Sequence, residues 1–177
     1  MAKNYSTSDW YVLQVIGGKE SKIEEYIQKL ETLELTPFLP RKKLKIRKKG
    51  KIKDVIKPLY PGYIFIIGKW DINDAKKIIQ LSGVVKFIGG LFSPGTLKME
   101  EKEIINKITK DGIAEFSKVI KENTKIKIIS GPLKELEGVI QSVDRRKQKA
   151  IVNLPLLNSI VKVTLGFEYI ESNEKEN

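Results

Sequence analysis

The sequence predicts an α+β protein in which helices packed on a sheet precede a small five-stranded β-barrel. Two observations lead to this fold class. Up to about residue 112, helical apolar patterns alternate with short β-branched runs in the order β–α–β–β–β–α–β–α, which is typical of helices covering an antiparallel or mixed sheet. After Phe116 only short strands follow, separated by regularly spaced turn signals, which indicates a small closed barrel.

The first elements are a buried strand and an amphipathic helix. Trp10–Ile16 is an aromatic and β-branched run that ends at Gly17-Gly18, which predicts a strand. Lys19–Leu33 carries apolar residues three and four apart with charges between them, which predicts a helix. Thr36–Pro40 should be extended, because the residue before a proline is pushed out of the α region.

A β-hairpin with a basic tip should follow. From Leu44 to Ile52, apolar residues recur two apart around a turn that contains Gly50. Val55–Ile67 then predicts two strands separated by a Pro/Gly break.

The rest of the first domain should contain two helices and a strand. Asp71 is placed to cap a helix that runs to about Leu81. Gly83–Ile88 predicts a strand, and Lys98–Lys110 predicts a third helix, which Gly112 can end.

Five short apolar segments predict the strands of the barrel: Lys125–Ile129, Gly138–Val143, Ala150–Leu154, Ser159–Leu165 and Glu168–Ile170. The pattern changes near residues 113–122, so we predict one domain over 9–112, a linker over 113–122 and the barrel domain over 123–171. The polar end, residues 172–177, should be disordered. We expect a monomer.

Positive charge is concentrated in one short segment. The chain has 33 Lys plus Arg against 22 Asp plus Glu, a net charge of +11, and residues 41–57 hold ten of the basic residues against Asp54 alone. Such a block repels itself unless it is solvated or binds a polyanion, so nucleic-acid contact is the favoured interpretation. A solvated loop and a membrane-surface role are the alternatives. A second basic turn, Arg145–Lys149, has four cations in five residues.

Absent residue types exclude several kinds of chemistry. The chain has no Cys and no His, which excludes disulfides, thiolate nucleophiles and imidazole-based catalysis or metal binding. The carboxylate pairs Glu24-Glu25 and Glu100-Glu101 are adjacent in sequence, so on a helix they do not converge on one proton. We therefore expect no enzyme, no cofactor and no metal. No apolar stretch approaches the roughly 20 residues that span a bilayer, and the N-terminus lacks a signal core, so we expect a cytoplasmic protein.

Four motifs in order carry a resemblance that covers about residues 9–171. The first three are Trp10-Tyr11-Val12, Tyr60-Pro61-Gly62-Tyr63-Ile64-Phe65 and Phe87-Ile88-Gly89-Gly90. They resemble the amino-terminal domain of the NusG family of transcription elongation factors. The fourth, Ile128–Leu133 followed by Glu137–Ile140 and Val143-Asp144, is similar to the KOW motif of that family. The resemblance implies an α/β sandwich followed by a five-stranded KOW β-barrel.

The resemblance also implies a partner. NusG-like proteins grip the clamp helices of the largest subunit of RNA polymerase with an apolar patch and suppress pausing. By position, that patch comprises Trp10, Tyr11, Tyr60, Pro61, Gly62 and Tyr63. Pro61 cannot donate to a sheet ladder and Gly62 allows a close backbone approach, so aromatics beside them can lie half-exposed. We assign Tyr60 and Tyr63 to the partner surface and Phe65 to the core; the alternative is that such aromatics only fill the core.

Two departures from the housekeeping pattern point to a specialised paralogue. Housekeeping members usually have Phe-Gly-Arg in the KOW loop where ribosomal and termination-factor partners bind, whereas Leu157-Asn158-Ser159 stands here. The hairpin over residues 41–57 is also unusually basic. Together these features resemble an operon-restricted antiterminator of the LoaP type, which pairs polymerase binding with recognition of an RNA hairpin in the nascent leader.

The RNA-binding residues that we predict are the cations of both basic segments: Arg41, Lys42, Lys43, Lys45, Arg47, Lys48, Lys49, Lys51, Arg145, Arg146 and Lys147. Two other functions remain open. One is a general elongation factor without specific RNA recognition, with a ribosomal-protein partner at its KOW domain. The other is a stand-alone KOW-containing RNA-binding protein.

Overall fold

The structure, a computed structural model, describes residues 7–30 and 33–171, so the predicted tail over 172–177 lies outside the described residues. The chain divides into two compact units. The sandwich unit contains the described residues up to Pro40, together with Pro58–Ile105 and Pro155–Ile160. The barrel unit contains Arg41–Lys57, Asn106–Leu154 and the described residues from Val161 onward.

Short connections join the helices and strands along the chain. Up to residue 108 the elements are β1 (Trp10–Val15), α1 (Glu20–Gln28), β2 (Thr36–Phe38), β3 (Arg41–Lys48), β4 (Lys51–Pro58), β5 (Tyr63–Ile67), α2 (Ile72–Ile79), β6 (Val84–Phe87) and α3 (Met99–Ile108). After it they are β7 (Ile113–Ala114), β8 (Ser117–Glu122), β9 (Lys125–Ser130), α4 (Pro132–Glu135), a 3₁₀ turn (Glu137–Val139), β10 (Ile140–Asp144), β11 (Lys149–Leu156) and β12 (Ser159–Tyr169). The predicted order is confirmed up to α3, with β2 added where the sequence predicts only an extended segment.

The sandwich unit is built on a four-stranded sheet with strand order β2-β5-β1-β6. In it, β1 pairs antiparallel with β5 on one side and with β6 on the other. Ile23 and Ile27 on one face of α1 are buried in the apolar core that also holds the inward residues of the sheet. Asp71 caps α2 as predicted, since its carboxylate accepts the backbone N–H groups of Asn73 and Asp74 at 2.8 and 2.9 Å.

The barrel unit has the expected number of strands, but one of them comes from another part of the sequence. The strand order is β10-β11-β12-β8-β9, and among the described residues no ladder joins β9 to β10, so the sheet is a half-barrel. The segment 113–122 that the sequence predicts as a linker holds β7 and β8, and β8 pairs antiparallel with β9 and parallel with β12. The predicted separate strand at Glu168–Ile170 is instead the end of β12, because the ladder with β8 runs from Phe167 to Tyr169.

The predicted basic hairpin is confirmed and consists of β3 and β4. Lys49 and Gly50 join the strands with φ of 50° and 77°, the pair of positive values that a two-residue type I′ turn requires. β3 also pairs in parallel with β7, which gives a three-stranded sheet of order β4-β3-β7. The sequence predicts this hairpin as part of the first domain, whereas its contacts group it with the barrel unit. The domain boundaries, as limits of independent folding, stay a prediction.

One close approach brings β3 against the barrel strand β12. A Cβ atom added at Gly166 would lie 2.6 Å from the carbonyl oxygen of Lys43 and 2.7 Å from the ring of Phe116. A carbon atom cannot be accommodated at either distance, so the strands meet this closely only because residue 166 has no side chain. Gly166 therefore helps to determine where the hairpin lies within the barrel unit.

Gly166→Ala should lower the free energy of unfolding by about 1–3 kcal/mol, because the added methyl group must displace the β3 backbone or the Phe116 ring. Urea unfolding measures this change. Gly138→Ala is the matched control: a Cβ there meets no atom within 4 Å, so stability should be unchanged or slightly higher. Equal losses for the two variants would contradict the close approach as a constraint.

Candidate nucleic-acid interface

The lysines at the base of the hairpin are paired with carboxylates. Lys43 Nζ lies 2.7 Å from Glu115 Oε2, and Lys45 Nζ lies 3.0 Å from a carboxylate oxygen of both Asp54 and Glu168. Partial burial lowers the pKa of Lys45, but its hydrogen bonds to Glu168 and Asp54 outweigh that effect and raise the pKa above its ordinary value. Much of the charge on these two predicted RNA-binding lysines is therefore compensated within the protein.

Lys42, which the sequence predicts to bind RNA, is buried. It is 4% exposed, because alternate residues of β3 turn inward. Burial, together with the nearby charge of Lys149, lowers the pKa of Lys42 to about 8. In this conformation the buried side chain of Lys42 is not accessible to a surface ligand, and its RNA contact stays a prediction. Arg41 begins the same strand, where its backbone N–H donates to the Gly112 carbonyl oxygen at 2.8 Å.

Two basic segments that are distant in sequence line one cavity of about 420 Å³. Residues of both hairpin strands form one side, and the β10–β11 turn together with the start of β11 forms the other. The lining residues are Lys45, Ile46, Arg47, Ile52, Arg146, Lys147, Gln148 and Lys149. Five of these are cations, none is acidic, and the two isoleucines supply an apolar surface. The structure thus joins the two basic clusters that the sequence presents separately; we call this concave surface the basic cavity.

The turn between β10 and β11 is fixed by Asp144, the last residue of β10. Its carboxylate accepts the backbone N–H of Lys147 at 2.9 Å and lies 3.6 Å from the Lys147 ammonium group. The backbone hydrogen bond from Lys147 is the main reason why the pKa of Asp144 lies below its ordinary value. Arg145 donates to the carbonyl oxygen of Thr124 in the turn between β8 and β9, whereas Arg146 lines the basic cavity. The two adjacent arginines therefore face different surroundings.

The tip of the hairpin carries the accessible lysines. Lys48, Lys49 and Lys51 are exposed, as is Arg47 at the rim of the basic cavity. Within residues 7–30 and 33–171, none of these four cations has a carboxylate partner. These four cations supply available charge in the distal half of the hairpin, and Lys53 and Lys57 on β4 are exposed as well.

Half of the predicted polymerase patch is buried. Trp10, Tyr11 and Tyr60 are at most 4% exposed. The Tyr60 ring lies edge-on to Phe65 with their ring centres 5.6 Å apart, and the Trp10 ring lies 5.7 Å from Phe65. The expected half-exposure of Tyr60 is wrong, because its ring completes this aromatic core. The predicted core position of Phe65 is confirmed.

The remaining residues of the patch form an accessible corner. Pro61 is exposed, and Gly62 and Tyr63 are partly exposed. Gly62 has a φ of 85°, and its N–H donates to the carboxylate of Glu20 at 2.8 Å. Glu20 is buried in the first turn of α1, so a buried carboxylate fixes the corner. Sequence reasoning did not identify Glu20 as a residue that holds the corner. The only local signal for Glu20 is its place as an acidic residue at the start of a helix, where the helix dipole favours negative charge.

The acidic pairs noted in the sequence lie on helices, Glu24-Glu25 on α1 and Glu100-Glu101 on α3. Glu101 is buried, and its Oε2 accepts the backbone N–H of Lys98 at 2.7 Å, which closes the first turn of α3. In the part of the chain that the structure describes, no group of three or more acidic side chains is placed to hold a metal ion. In the same residues, no helix is long and apolar enough to cross a bilayer.

The fold and the basic cavity define a protein with an α/β sandwich unit, a β-rich half-barrel unit and a surface suited to a polyanion. A family model described as transcription termination factor NusG matches residues 8–109. The chain therefore belongs to the NusG family, as predicted.

Relatives match the chain along nearly its whole length. It is 25% identical over 183 residues to the transcription termination/antitermination protein NusG of Rickettsia typhi, which covers 98% of this chain and 94% of that protein. It is 28% identical over 173 residues to the NusG of Buchnera aphidicola subsp. Acyrthosiphon pisum, with coverages of 93% and 96%. A solved structure of Thermotoga maritima NusG has a TM-score of 0.54 at 23% identity, covering 92% of this chain and 96% of that one. This likeness confirms the predicted fold class.

Lys42→Met should change how stability depends on pH. Folding lowers the pKa of Lys42 from 10.5 to about 8, so between these pH values the unfolded chain binds more protons than the folded one. Wild-type stability should therefore gain from rising pH across this window, while below about pH 8 the folded state bears the full cost of the buried charge. The advantage of the variant should shrink by up to about 1.4 kcal/mol per pH unit between pH 8 and 10.5, measured by urea unfolding. A constant difference would contradict the lowered pKa.

Proposed function

We propose that this chain is a transcription elongation and antitermination factor with two contact surfaces. One is the corner Pro61–Tyr63, which binds the clamp helices of the largest subunit of RNA polymerase. The other is the basic cavity with the adjoining hairpin tip, which binds RNA, in the simplest case a hairpin in the nascent leader, as a LoaP-type antiterminator does. The observation that carries the RNA contact is a cavity shared by two distant basic segments, with five cations and no acidic residue in its lining.

Polymerase binding is supported by family membership and by the chemistry of the corner. Tyr63 is the partly exposed aromatic there. The backbone N–H of Val15 donates to the Gly62 carbonyl oxygen at 2.8 Å, and the next residue, Ile16, is 49% exposed. An aromatic side chain with an apolar neighbour on a rigid corner is a suitable anchor for a helical partner.

A general NusG factor without specific RNA recognition is the second candidate. The relatives favour it, because proteins named for termination and antitermination match almost the full chain. Such a factor would use the loop at Leu157-Asn158-Ser159 for a ribosomal-protein partner. The two candidates differ in one measurable property: only the specialised factor should bind a structured leader RNA when polymerase is absent.

Tyr63→Ala should weaken binding to RNA polymerase by about 1–3 kcal/mol, because truncation removes the exposed aromatic anchor of the corner. Biolayer interferometry with purified polymerase measures the loss, and RNA binding by the isolated protein should be nearly unchanged. Tyr26→Ala is the matched control, since Tyr26 is a partly exposed aromatic on α1. If Tyr63→Ala unfolds the sandwich unit but binding per folded molecule persists, the residue belongs to the core and the corner is not the docking site.

RNA affinity should depend steeply on salt and on the tip lysines. With about five phosphates neutralised, affinity should fall roughly 10²–10³-fold between about 50 and 200 mM salt. Lys48→Gln and Lys49→Gln should each reduce the slope of log affinity against log salt by about one.

Lys76→Gln, an exposed lysine on α2 of the sandwich unit, is the control and should leave the slope of log affinity against log salt unchanged. A shallow slope for the wild type, or equal effects of all three variants, would contradict RNA binding by the hairpin tip. The tip would then be a solvated basic loop.

A further inference from the structure

We propose that the basic cavity is a binding pocket for one unpaired nucleotide of an RNA stem. The base lies on Ile46 and Ile52 and stacks on a guanidinium plane, while the neighbouring phosphates bind the lysines. The pocket presupposes the RNA binding proposed above and specifies which part of the RNA is recognised.

The cavity suits a nucleotide in size and charge. Its volume of about 420 Å³ lies within the roughly 300–1,000 Å³ of pockets that hold small ligands. No lining residue is acidic. Lys45 is balanced by Asp54 and Glu168, and Lys147 lies 3.6 Å from Asp144. Among the described residues, neither of the two lining arginines has a carboxylate partner. The cavity therefore offers uncompensated positive charge to an anion.

The apolar part of the lining distinguishes a base from a phosphate. Ile52 is 57% exposed and lines the cavity together with Ile46 and five cations. Phosphate groups gain nothing from contact with an isoleucine, whereas the face of a base does. The planar guanidinium groups of Arg47 and Arg146 also stack on bases, which ammonium groups do not. The combination of Ile and Arg side chains thus points to a flat, partly apolar ligand with attached negative charge.

Both walls of the cavity are held in place before any ligand binds. The hairpin is fixed by the ion pairs of Lys45 and by the approach of β3 to Gly166. The β10–β11 turn is fixed by the hydrogen bond from Lys147 to Asp144 and by the bond from Arg145 to the β8–β9 turn. A pocket that is already formed loses little conformational entropy on binding, so it can select one ligand shape.

An unpaired nucleotide matches this pocket better than a paired stem or an acidic peptide does. The major groove of A-form RNA is too deep and narrow for side chains to read, so proteins recognise RNA sequence mainly at bases that have left the stack. A paired stem can contact the tip lysines but cannot place a base in the cavity. An acidic peptide can pair with the cations but has no planar ring for the arginines.

The test uses the full chain and two short RNA hairpins that differ only by one bulged adenosine. We expect the bulged hairpin to bind roughly tenfold more tightly, which corresponds to the stacking of one base. With 2-aminopurine in place of the bulged adenosine, its fluorescence should change on binding, whereas 2-aminopurine in the paired stem should not respond. Adenosine monophosphate and polyglutamate are added as competitors. Adenosine monophosphate carries the same base and phosphate but lacks the stem that contacts the tip lysines, so it should displace the bulged hairpin far less effectively than unlabelled bulged hairpin does, and polyglutamate should not abolish the preference for the bulge.

Two pairs of variants separate the pocket from general charge. Ile52→Thr should remove the preference for the bulge, whereas Ile56→Thr should keep it, because Ile56 is exposed on the same strand but outside the cavity. Arg146→Gln should reduce the preference more than Arg145→Gln, although both remove one charge from the same turn. Thermal unfolding confirms that each variant is folded.

Several outcomes would overturn the pocket. Equal affinities for the two hairpins, or equal effects within either variant pair, would show that no base enters the cavity. If affinity still falls on Lys48→Gln and Lys49→Gln, the proposed RNA binding stands and only the nucleotide pocket is lost. Displacement by adenosine monophosphate as effective as displacement by unlabelled bulged hairpin would assign the cavity to a free nucleotide, and loss of the bulge preference in polyglutamate would assign it to an acidic peptide. No binding to either hairpin would overturn both the pocket and the proposed RNA contact.

Discussion

The contact between β12 and β3 is the constraint on which the basic surface depends. At Gly166 the main chains approach as closely as the absence of a Cβ permits. Two residues further on, Glu168 binds Lys45 at 3.0 Å and Lys118 at 2.6 Å, and hydrogen bonds from these lysines hold its pKa below the ordinary value. An exposed ion pair contributes at most about 1 kcal/mol, so the packed backbone supplies the main constraint and the ion pairs fix the orientation of the strands.

The sequence predicted the strands and helices whose patterns are local, and it failed where pairing is non-local. The hairpin carries its own turn residues, and α2 carries its own cap, so both were predictable. In β8 only Ser117 and Val119 are fully buried, and basic and acidic residues lie between and after them, so the segment resembled a linker. Its strand conformation comes from pairing with β9 and, in parallel, with the distant β12. In the sequence, Gly166 resembled the residue that ends the predicted strand Ser159–Leu165. The local pattern could not show that the β3 backbone approaches at this position.

The candidate site was predictable in composition but not in geometry. A count of cations identified residues 41–57, yet burial removed Lys42 from the surface and carboxylates compensated Lys43 and Lys45. The same limit applies to the aromatic patch: two tyrosines near one Pro-Gly turn have similar local sequence, but packing against Phe65 decides that one of them is core. The convergence of the hairpin with the β10–β11 turn is a tertiary contact, so neither segment alone indicates a cavity.

The placement of the acidic residues explains how such a basic hairpin can be both folded and available for a ligand. Ten cations within 17 residues repel one another, and a carboxylate reduces this repulsion only for the cations near it. Here Asp54, Glu115 and Glu168 all bind lysines of the basal half, where charge would oppose the packing of β3 against the barrel. The same carboxylates at the tip would have neutralised the cations that face solvent. These carboxylates leave Arg47, Lys48, Lys49 and Lys51 without a carboxylate partner among the described residues, so the positive field of the distal hairpin faces solvent, where a phosphate chain can approach.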